Sequence, residues 1–268
     1  MAFHRLPFNF RQQAVVTVGW HIAAIRQILG WAADRGYWAE CPRFYTLFKF
    51  KKRGIMNLEE RSRIAGVHDI YTLEQLNTSY HSALCNDKDK GMIACALNFA
   101  FSSGESSDFL VREIDFTKNT VTRVRNKTGV VTSWPMFKTT RDLLLKLTKG
   151  KKGTARVFTR PDGKPLICFG EGTRVDMVAP TWRLLCRRAG VENKHYKSLR
   201  KLSAQLVRNA SDKGTAEYHL AHAVNDVSAH YHHDDGQHLV AALAKVEAQI
   251  QAEVFTAKPV EGAKVKAA

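Results

Sequence analysis

Residues 221–235, AHAVNDVSAHYHHDD, combine side chains that serve several kinds of chemistry. The stretch holds four histidines, one tyrosine and three aspartates. Histidine and aspartate bind metal ions, whereas a tyrosine hydroxyl acts as a nucleophile when neighbouring groups activate it. Adjacent side chains on a short stretch rarely converge tetrahedrally on one metal. We therefore expect no metal site, and solvated side chains around Tyr231: His230, His232, His233, Asp234 and Asp235.

The elements before this stretch supply cations that suit an anionic substrate. HYKSLRKLSAQLVRNA, residues 195–210, has the apolar spacing of an amphipathic helix. One face takes the leucines Leu199, Leu202 and Leu206. Most of the cations lie elsewhere on the helix: Lys197, Arg200, Lys201 and Arg208. Further upstream, REIDFTKNTVTRVRNKTGVVTSWPM alternates like short strands joined by tight turns, which places Arg123 and Arg125 on one face of a strand.

These motifs resemble the carboxyl-terminal half of the tyrosine recombinase catalytic domain, the domain of phage-type integrases. That family has a His-x-x-Arg on one helix, then Gly-His, then a nucleophilic Tyr nine residues after that His. Here Lys197 and Arg200 occupy the first motif, Ala221-His222 replaces Gly-His, and Tyr231 follows His222 by nine residues. The segments RNKTGV and CALNFAFSSGESSDFLVREIDF extend the resemblance, which covers roughly residues 60–245.

The resemblance implies a reaction that breaks and rejoins DNA through a phosphotyrosyl intermediate. Tyr231 attacks the scissile phosphate, and Arg200 grips its oxygens and stabilises the charge of the transition state. His222 and Lys197 assist at the phosphate, and Lys127, in the RNKTGV hairpin, protonates the departing 5′-oxygen. The energy of the broken bond is kept in the phosphotyrosyl link. Rejoining therefore needs neither a metal nor a nucleotide cofactor.

One departure from the family concerns its first arginine, which sits in a Gly-x-Arg-x-x-Glu stretch. The corresponding segment here is SSGESSDFLVRE, in which Ser106 or Ser107 falls near the expected arginine and Asp108 resembles its acidic partner. Loss of a phosphate-binding arginine typically costs about a thousandfold in rate. Three arginines are candidates to replace it: Arg112, Arg123 and Arg125.

The bulk composition favours a nucleic-acid partner. The chain has 268 residues and a formal net charge of +16, which attracts polyanions. No apolar run reaches the roughly 18 residues that a membrane-spanning helix needs, and MAFHRLPFNFRQQ is too polar for a signal peptide. The cysteines form no CxxC pair, so we expect free thiols in a reducing cytosol at Cys41, Cys85, Cys95, Cys168 and Cys186.

The order of predicted elements indicates a mostly helical α+β protein with one small antiparallel sheet. By resemblance to the recombinase family, we expect a truncated helical core-binding segment over 1–45 and the catalytic domain over 61–255. A basic linker over 46–60 joins them, and a flexible tail is expected over 256–268. Within the first segment, residues 14–34 have helical spacing, and the face of Trp20 and Trp31 is predicted to be core. By resemblance, the last helix (239–254) docks on a neighbouring subunit. Packing on its own domain is the alternative.

The preferred hypothesis is a site-specific recombinase that acts on double-stranded DNA as a homo-multimer in the cytoplasm, associated with the nucleoid. The alternative is a weakened or inactive recombinase fold that still binds DNA. A metal-dependent hydrolase built on the histidine cluster is a weaker third hypothesis. DNA contacts are expected from further basic residues: Arg112, Arg123, Arg125, Lys201, Lys51, Lys52 and Arg53.

Overall fold

The computed structural model describes residues 15–37, 70–125, 129–170, 172–222 and 236–256. The chain divides into two compact units, Met1–His68 and Asp69–Ala268. The predicted linker lies outside the described residues, so the predicted domain boundaries stay predictions.

The first unit contributes one described helix, α1, over Val15–Asp34, which confirms the helix predicted from the apolar spacing. The prediction that its tryptophans form core is wrong. Trp20 is 73% exposed and Trp31 is 55% exposed. Helical spacing shows which side chains share a face, but it does not show whether another element covers that face.

The second unit is mostly helical, as the sequence predicts, and its described residues form two small antiparallel sheets where the sequence predicts one. Its helices are α2 (Leu73–Tyr80), α3 (Asp87–Asn98), α4 (Ser103–Asp108), α5 (Lys138–Thr148), α6 (Val178–Arg188), α7 (Lys197–Ala210), α8 (Lys213–His219) and α9 (Gln237–Ile250). Its strands are β1 (Ile114–Asp115), β2 (Thr120–Val124), β3 (Val131–Pro135), β4 (Ile167–Gly170) and β5 (Thr173–Asp176). In the described residues, no helix combines the length and the apolar composition that crossing a membrane requires.

Two helix starts are fixed by reciprocal caps. Thr72 and Gln75 form a capping box at α2, where the sequence predicts a helix start. Ser102 and Glu105 form another at α4, in which the Ser102 N–H donates to Glu105 Oε2 at 2.8 Å. The second box holds a carboxylate at the beginning of a six-residue helix.

The main sheet runs in the order β1-β2-β3, all antiparallel. Along β2, Val121 and Arg123 are buried, while Thr122 and Val124 are exposed. The arginine therefore lies on the inner face of the strand. The sequence analysis did not predict the second sheet, a hairpin of β4 and β5, because four-residue strands give too short a pattern to detect.

The core of the second unit is built around α3, which packs against α5 and α7. A Cβ atom at Gly91 of α3 would lie 2.6 Å from Leu147 Cδ1 of α5, so glycine permits this close approach. Helix α7 buries the predicted leucine face: Leu199, Leu202 and Leu206.

The carboxyl-terminal helix α9 packs within its own unit against α7 and continues into a π-helical turn over Gln251–Phe255. The Val254 carbonyl accepts hydrogen bonds from Asn77 Nδ2 at 3.1 Å and His81 Nε2 at 2.9 Å. The apolar face of α9 is buried: Leu239, Leu243, Val246 and Ile250. Packing on its own domain, the alternative given above, is the arrangement in the structure.

Candidate functional site

Arg200 is the buried cation of helix α7. Only 6% of the residue is exposed, although the other predicted cations of this helix lie at the surface. Its Nη1 donates to the Ala100 carbonyl and to Glu105 Oε2 at 3.0 Å, and its Nη2 donates to the Leu220 carbonyl at 2.7 Å. Burial lowers the pKa of Arg200 below its ordinary value, and the Glu105 carboxylate opposes that shift. The guanidinium is therefore a charged group held in one orientation by three acceptors.

Glu105 lies between two guanidinium groups. Its Oε2 is 3.0 Å from Arg200 Nη1, and its Oε1 is 3.3 Å from Arg125 Nε. Burial by itself raises the pKa of this carboxyl. The Arg200 cation, the hydrogen bonds of Ser102 and the Arg125 cation outweigh burial, so the net pKa of Glu105 is below its ordinary value. The group is a carboxylate at neutral pH.

Arg125, at the end of β2, shares its partners with Arg200. Its Nη1 donates to the Leu220 carbonyl at 3.1 Å and to the Ala221 carbonyl at 3.4 Å. Its own backbone closes the base of the hairpin, through a 2.9 Å bond to the Val130 carbonyl and a 2.8 Å bond from the Gly129 N–H. Arg125 thereby ties the base of the hairpin to the turn that precedes His222.

Two alanines that present carbonyls to these arginines have left-handed backbones. Ala100 has φ 53° and Ala221 has φ 50°. A left-handed conformation costs a residue with a Cβ atom roughly 1 kcal/mol, and such strain tends to collect at functional sites. A left-handed backbone favours glycine, so alanine at position 221 carries strain.

His222 follows that turn directly. Its Nδ1 is bonded to Glu217 Oε2, and its backbone N–H donates to the Glu217 carbonyl at 3.1 Å. The side chain is 41% exposed. Because Glu217 occupies Nδ1, the Nε2 atom is the nitrogen left for a substrate.

Several solved structures resemble this chain. One is an integrase from mycobacterium phage Brujita, with TM-score 0.53, 16% identity and coverage of 89% of this chain and 78% of that one. Another is a lambda integrase dimer bound to a COC′ core site, with TM-score 0.55, 14% identity, and coverage of 83% and 75%. The chain has the tyrosine recombinase catalytic-domain fold.

The integrase of the Tn1549 transposon, in complex with circular intermediate DNA, also resembles the chain. Its TM-score is 0.53 at 13% identity, and the match covers 83% of this chain and 76% of that one. No protein-family model and no curated protein sequence matches the chain. At these identities the comparison establishes the recombinase fold and leaves the chemistry to the residues of the site.

The described part of the recombinase fold brings together Arg200, Arg125 and the turn that carries His222. Lys197 is exposed at the first position of α7, one helical turn before Arg200, and Lys201 is exposed one residue after it. Other predicted site residues lie outside the described residues: Lys127, Tyr231, Lys51, Lys52 and Arg53. The predicted histidine and aspartate neighbours of Tyr231 lie outside them as well.

The remaining two arginines of the prediction take different positions. Arg112 is exposed in the short 3-10 turn after α4, and its backbone N–H donates to the Gly153 carbonyl at 2.9 Å. Arg123 is 7% exposed, and its Nη1 donates to the Glu105 carbonyl at 2.7 Å. Its guanidinium also lies over the Phe101 ring, 5.5 Å from the centroid. Arg123 and Arg125 both reach Glu105, as their shared strand face predicts.

The segment expected to carry the family's first arginine has a different layout. Ser106 Oγ is 3.1 Å from the Tyr196 hydroxyl, and Ser107 Oγ accepts the Ile167 N–H at 2.9 Å, so both serines point into the interior. Asp108, which resembles the acidic partner of the family's first arginine, lies 3.8 Å from an Arg156 nitrogen. The sequence analysis missed Glu105. The Ser102-x-x-Glu105 capping pattern was the local signal available for it.

The sequence analysis also missed His219. It is fully buried, and its Nε2 lies 2.7 Å from Ser203 Oγ, while its carbonyl accepts the Trp134 Nε1–H at 3.1 Å. Burial, with a smaller effect from the Arg200 cation, lowers the pKa of His219 to about 3. His219 is therefore neutral at physiological pH and adds no charge to the site.

Proposed function

We propose that this protein breaks and rejoins duplex DNA, with Tyr231 as the nucleophile. The observation that supports the proposal best is the buried Arg200. Its guanidinium is held by three acceptors on a recombinase fold and bonds the Leu220 carbonyl, two residues before His222. A guanidinium fixed in one orientation is suited to stabilising the charge of a phosphoryl transition state.

The roles follow from the chemistry of each side chain. Arg200 binds a non-bridging phosphate oxygen and neutralises the charge that grows during attack. His222 donates from Nε2 to the same phosphate, and Lys197 supplies a second cation one helical turn from Arg200. Lys127 protonates the leaving 5′-oxygen, and Tyr231 forms the covalent link; these two roles rest on the resemblance in sequence.

DNA binding is supported by the net charge of +16 and by the exposed cations around the site. We assign backbone contacts to Arg112 and Lys201, which are both exposed, and to the basic stretch that contains Lys51, Lys52 and Arg53. We assign Arg123 to positioning α4 through the Glu105 carbonyl, since it is buried. The resembling lambda integrase is a dimer bound to its core site, which supports a multimer of this protein on DNA.

The test is covalent capture of DNA by the protein. A pool of nicked duplexes with a randomised core allows cleavage whatever the sequence of the target site. The reaction contains EDTA and is stopped in detergent. The wild type is expected to give a protease-sensitive adduct, which Tyr231→Phe abolishes and Tyr37→Phe, at an exposed tyrosine of the first unit, retains.

Other outcomes separate the alternatives. Salt-sensitive DNA binding without any adduct would support an inactive recombinase fold that binds DNA. Cleavage that requires a divalent metal and survives Tyr231→Phe would support the metal-dependent hydrolase.

A further inference from the structure

We infer that Arg125, the residue that follows strand β2, is the second phosphate-binding guanidinium of the site, in place of the arginine missing from α4. The inference rests on the proposed function, because it names a further residue that grips the same phosphate. It also assigns a role to a residue that the sequence leaves as one of three candidates.

The positions of the other candidates exclude them. Arg112 belongs to the segment paired with Gly153, and Arg123 is turned inward to the Glu105 carbonyl and the Phe101 ring. Arg125 alone among the three shares partners with Arg200: the Glu105 carboxylate and the Leu220 carbonyl.

The charge at this cluster points to an anionic ligand. Two guanidinium cations, Arg200 and Arg125, face one carboxylate, which leaves one positive charge (2 − 1 = +1). The neighbouring His219 is neutral and adds none. A phosphodiester carries one negative charge, so a single DNA phosphate balances the cluster.

The two arginines differ in how deeply their side chains are buried, which gives them different roles in the anion site. The Arg200 side chain is 7% exposed, whereas that of Arg125 is 18% exposed. Guanidinium has five donors. Arg200 donates three hydrogen bonds to the described residues, whereas Arg125 donates two and also places Nε 3.3 Å from Glu105 Oε1. Arg200 therefore fixes the base of the anion site, and Arg125 closes its outer side.

The first experiment measures anion binding without any DNA chemistry. Thermal unfolding is followed against inorganic phosphate, with chloride added to keep the ionic strength constant. Phosphate is expected to raise the melting temperature of the wild type and of Arg187→Ala, which removes an exposed cation from the last turn of α6. Arg125→Gln is expected to weaken the apparent phosphate affinity by at least about tenfold. If Arg125→Gln does not fold, Arg125→Lys is measured instead. Its apparent phosphate affinity should lie between that of the wild type and the value expected for Arg125→Gln.

The second experiment measures the rate of adduct formation on the captured DNA. Relative to Arg187→Ala, Arg125→Gln is expected to slow the reaction by roughly 100-fold to 1,000-fold, the loss typical of one transition-state donor. Equal phosphate affinity in Arg125→Gln and Arg187→Ala, or no phosphate effect on the wild type, would overturn the inference. Absence of an adduct in the wild type would instead overturn the proposed function, and the phosphate titration would still decide whether Arg125 binds the anion.

Discussion

Two polar networks in the second unit, each with buried and partly buried members, are built on opposite principles. One is charged and joins Arg200, Arg125 and Glu105. The other is neutral and centres on the Tyr71 hydroxyl, which donates to the Lys194 carbonyl at 2.5 Å. The same hydroxyl accepts from the Lys194 N–H at 2.8 Å and from Trp182 Nε1 at 2.9 Å.

The difference shows how a ligand site is distinguished from a structural hub. In the neutral network each donor meets an acceptor, and burial raises the pKa of Tyr71 so that the hydroxyl keeps its proton. The charged network retains an unbalanced positive charge after all its internal bonds are made. Burial of charge is costly unless it is compensated. The charged network therefore gains from an external anion, whereas the neutral one does not.

The largest expected effect comes from removing the carboxylate between the arginines. Glu105→Gln leaves two guanidinium groups without a counter-ion, which should lower the free energy of unfolding by about 3 kcal/mol. The amide oxygen of the substituted side chain still accepts from the Ser102 N–H, so the cap of α4 survives. With the competing carboxylate gone, phosphate should raise the melting temperature more than it does in the wild type. Urea unfolding measures the loss of stability, and thermal unfolding with and without phosphate measures the anion effect.

Tyr71→Phe is the matched variant in the neutral network. It leaves the Lys194 N–H without its acceptor, while Trp182 Nε1 keeps the Lys194 carbonyl at 2.9 Å. We therefore expect a loss of about 1–3 kcal/mol of stability. The effect of phosphate on melting should stay at the wild-type value. A phosphate effect that shrinks in Glu105→Gln, or one that changes in Tyr71→Phe, would remove the distinction between the networks.

Acid is expected to act next to the charged network through His219. The unfolded histidine takes up a proton below its ordinary pKa near 6.5, whereas the folded one stays neutral down to about pH 3. The unfolded state therefore binds more protons in this range. The contribution of His219 to the free energy of unfolding is fully present above pH 6.5. Between pH 6.5 and about pH 3 it should fall by about 1.4 kcal/mol per pH unit.

Urea unfolding between about pH 7 and pH 4 measures that slope. His219→Gln should flatten it, and His195→Gln, at an exposed histidine, should not. Equal slopes in the wild type and in His219→Gln would show that other groups govern the acid response. The neutral network has no role in this range, since Tyr71 is not ionised.

The smallest expected effect concerns backbone strain, which borders the charged network and is absent from Tyr71, Trp182 and Lys194. Ala221→Gly relieves a left-handed alanine but adds freedom to the unfolded chain, so we expect a net gain of about 0.5 kcal/mol. Ala204→Gly, inside α7, should instead cost about 1 kcal/mol. Melting temperatures compare the two, and destabilisation by both would mean that the Ala221 turn carries no strain.

Local patterns predicted much of the fold. The leucine spacing of α7 places Leu199, Leu202 and Leu206 in the core, and the alternation of β2 places Arg123 and Arg125 on one face. Helical periodicity and strand alternation indicate on which face of an element a side chain lies, and these predictions required nothing more.

The same patterns did not predict how deeply a side chain is buried or which side chains it contacts. Asp108 and Glu105 belong to one short helix, and only the folded chain shows that Glu105 meets Arg200. The exposure of Trp20 was missed for a similar reason, since spacing cannot reveal what covers a face. His219 has no local signal at all, because its burial is created by elements distant in sequence.

The shared hold on the Leu220 carbonyl has a mechanical consequence. Arg200 and Arg125 donate hydrogen bonds to the same carbonyl oxygen from different elements, so both bonds must break before the Leu220 peptide can move. An anion that binds either arginine competes with the Leu220 carbonyl for its donors. Under the proposed function, binding of a DNA phosphate is therefore coupled to the hydrogen bonds that hold this turn.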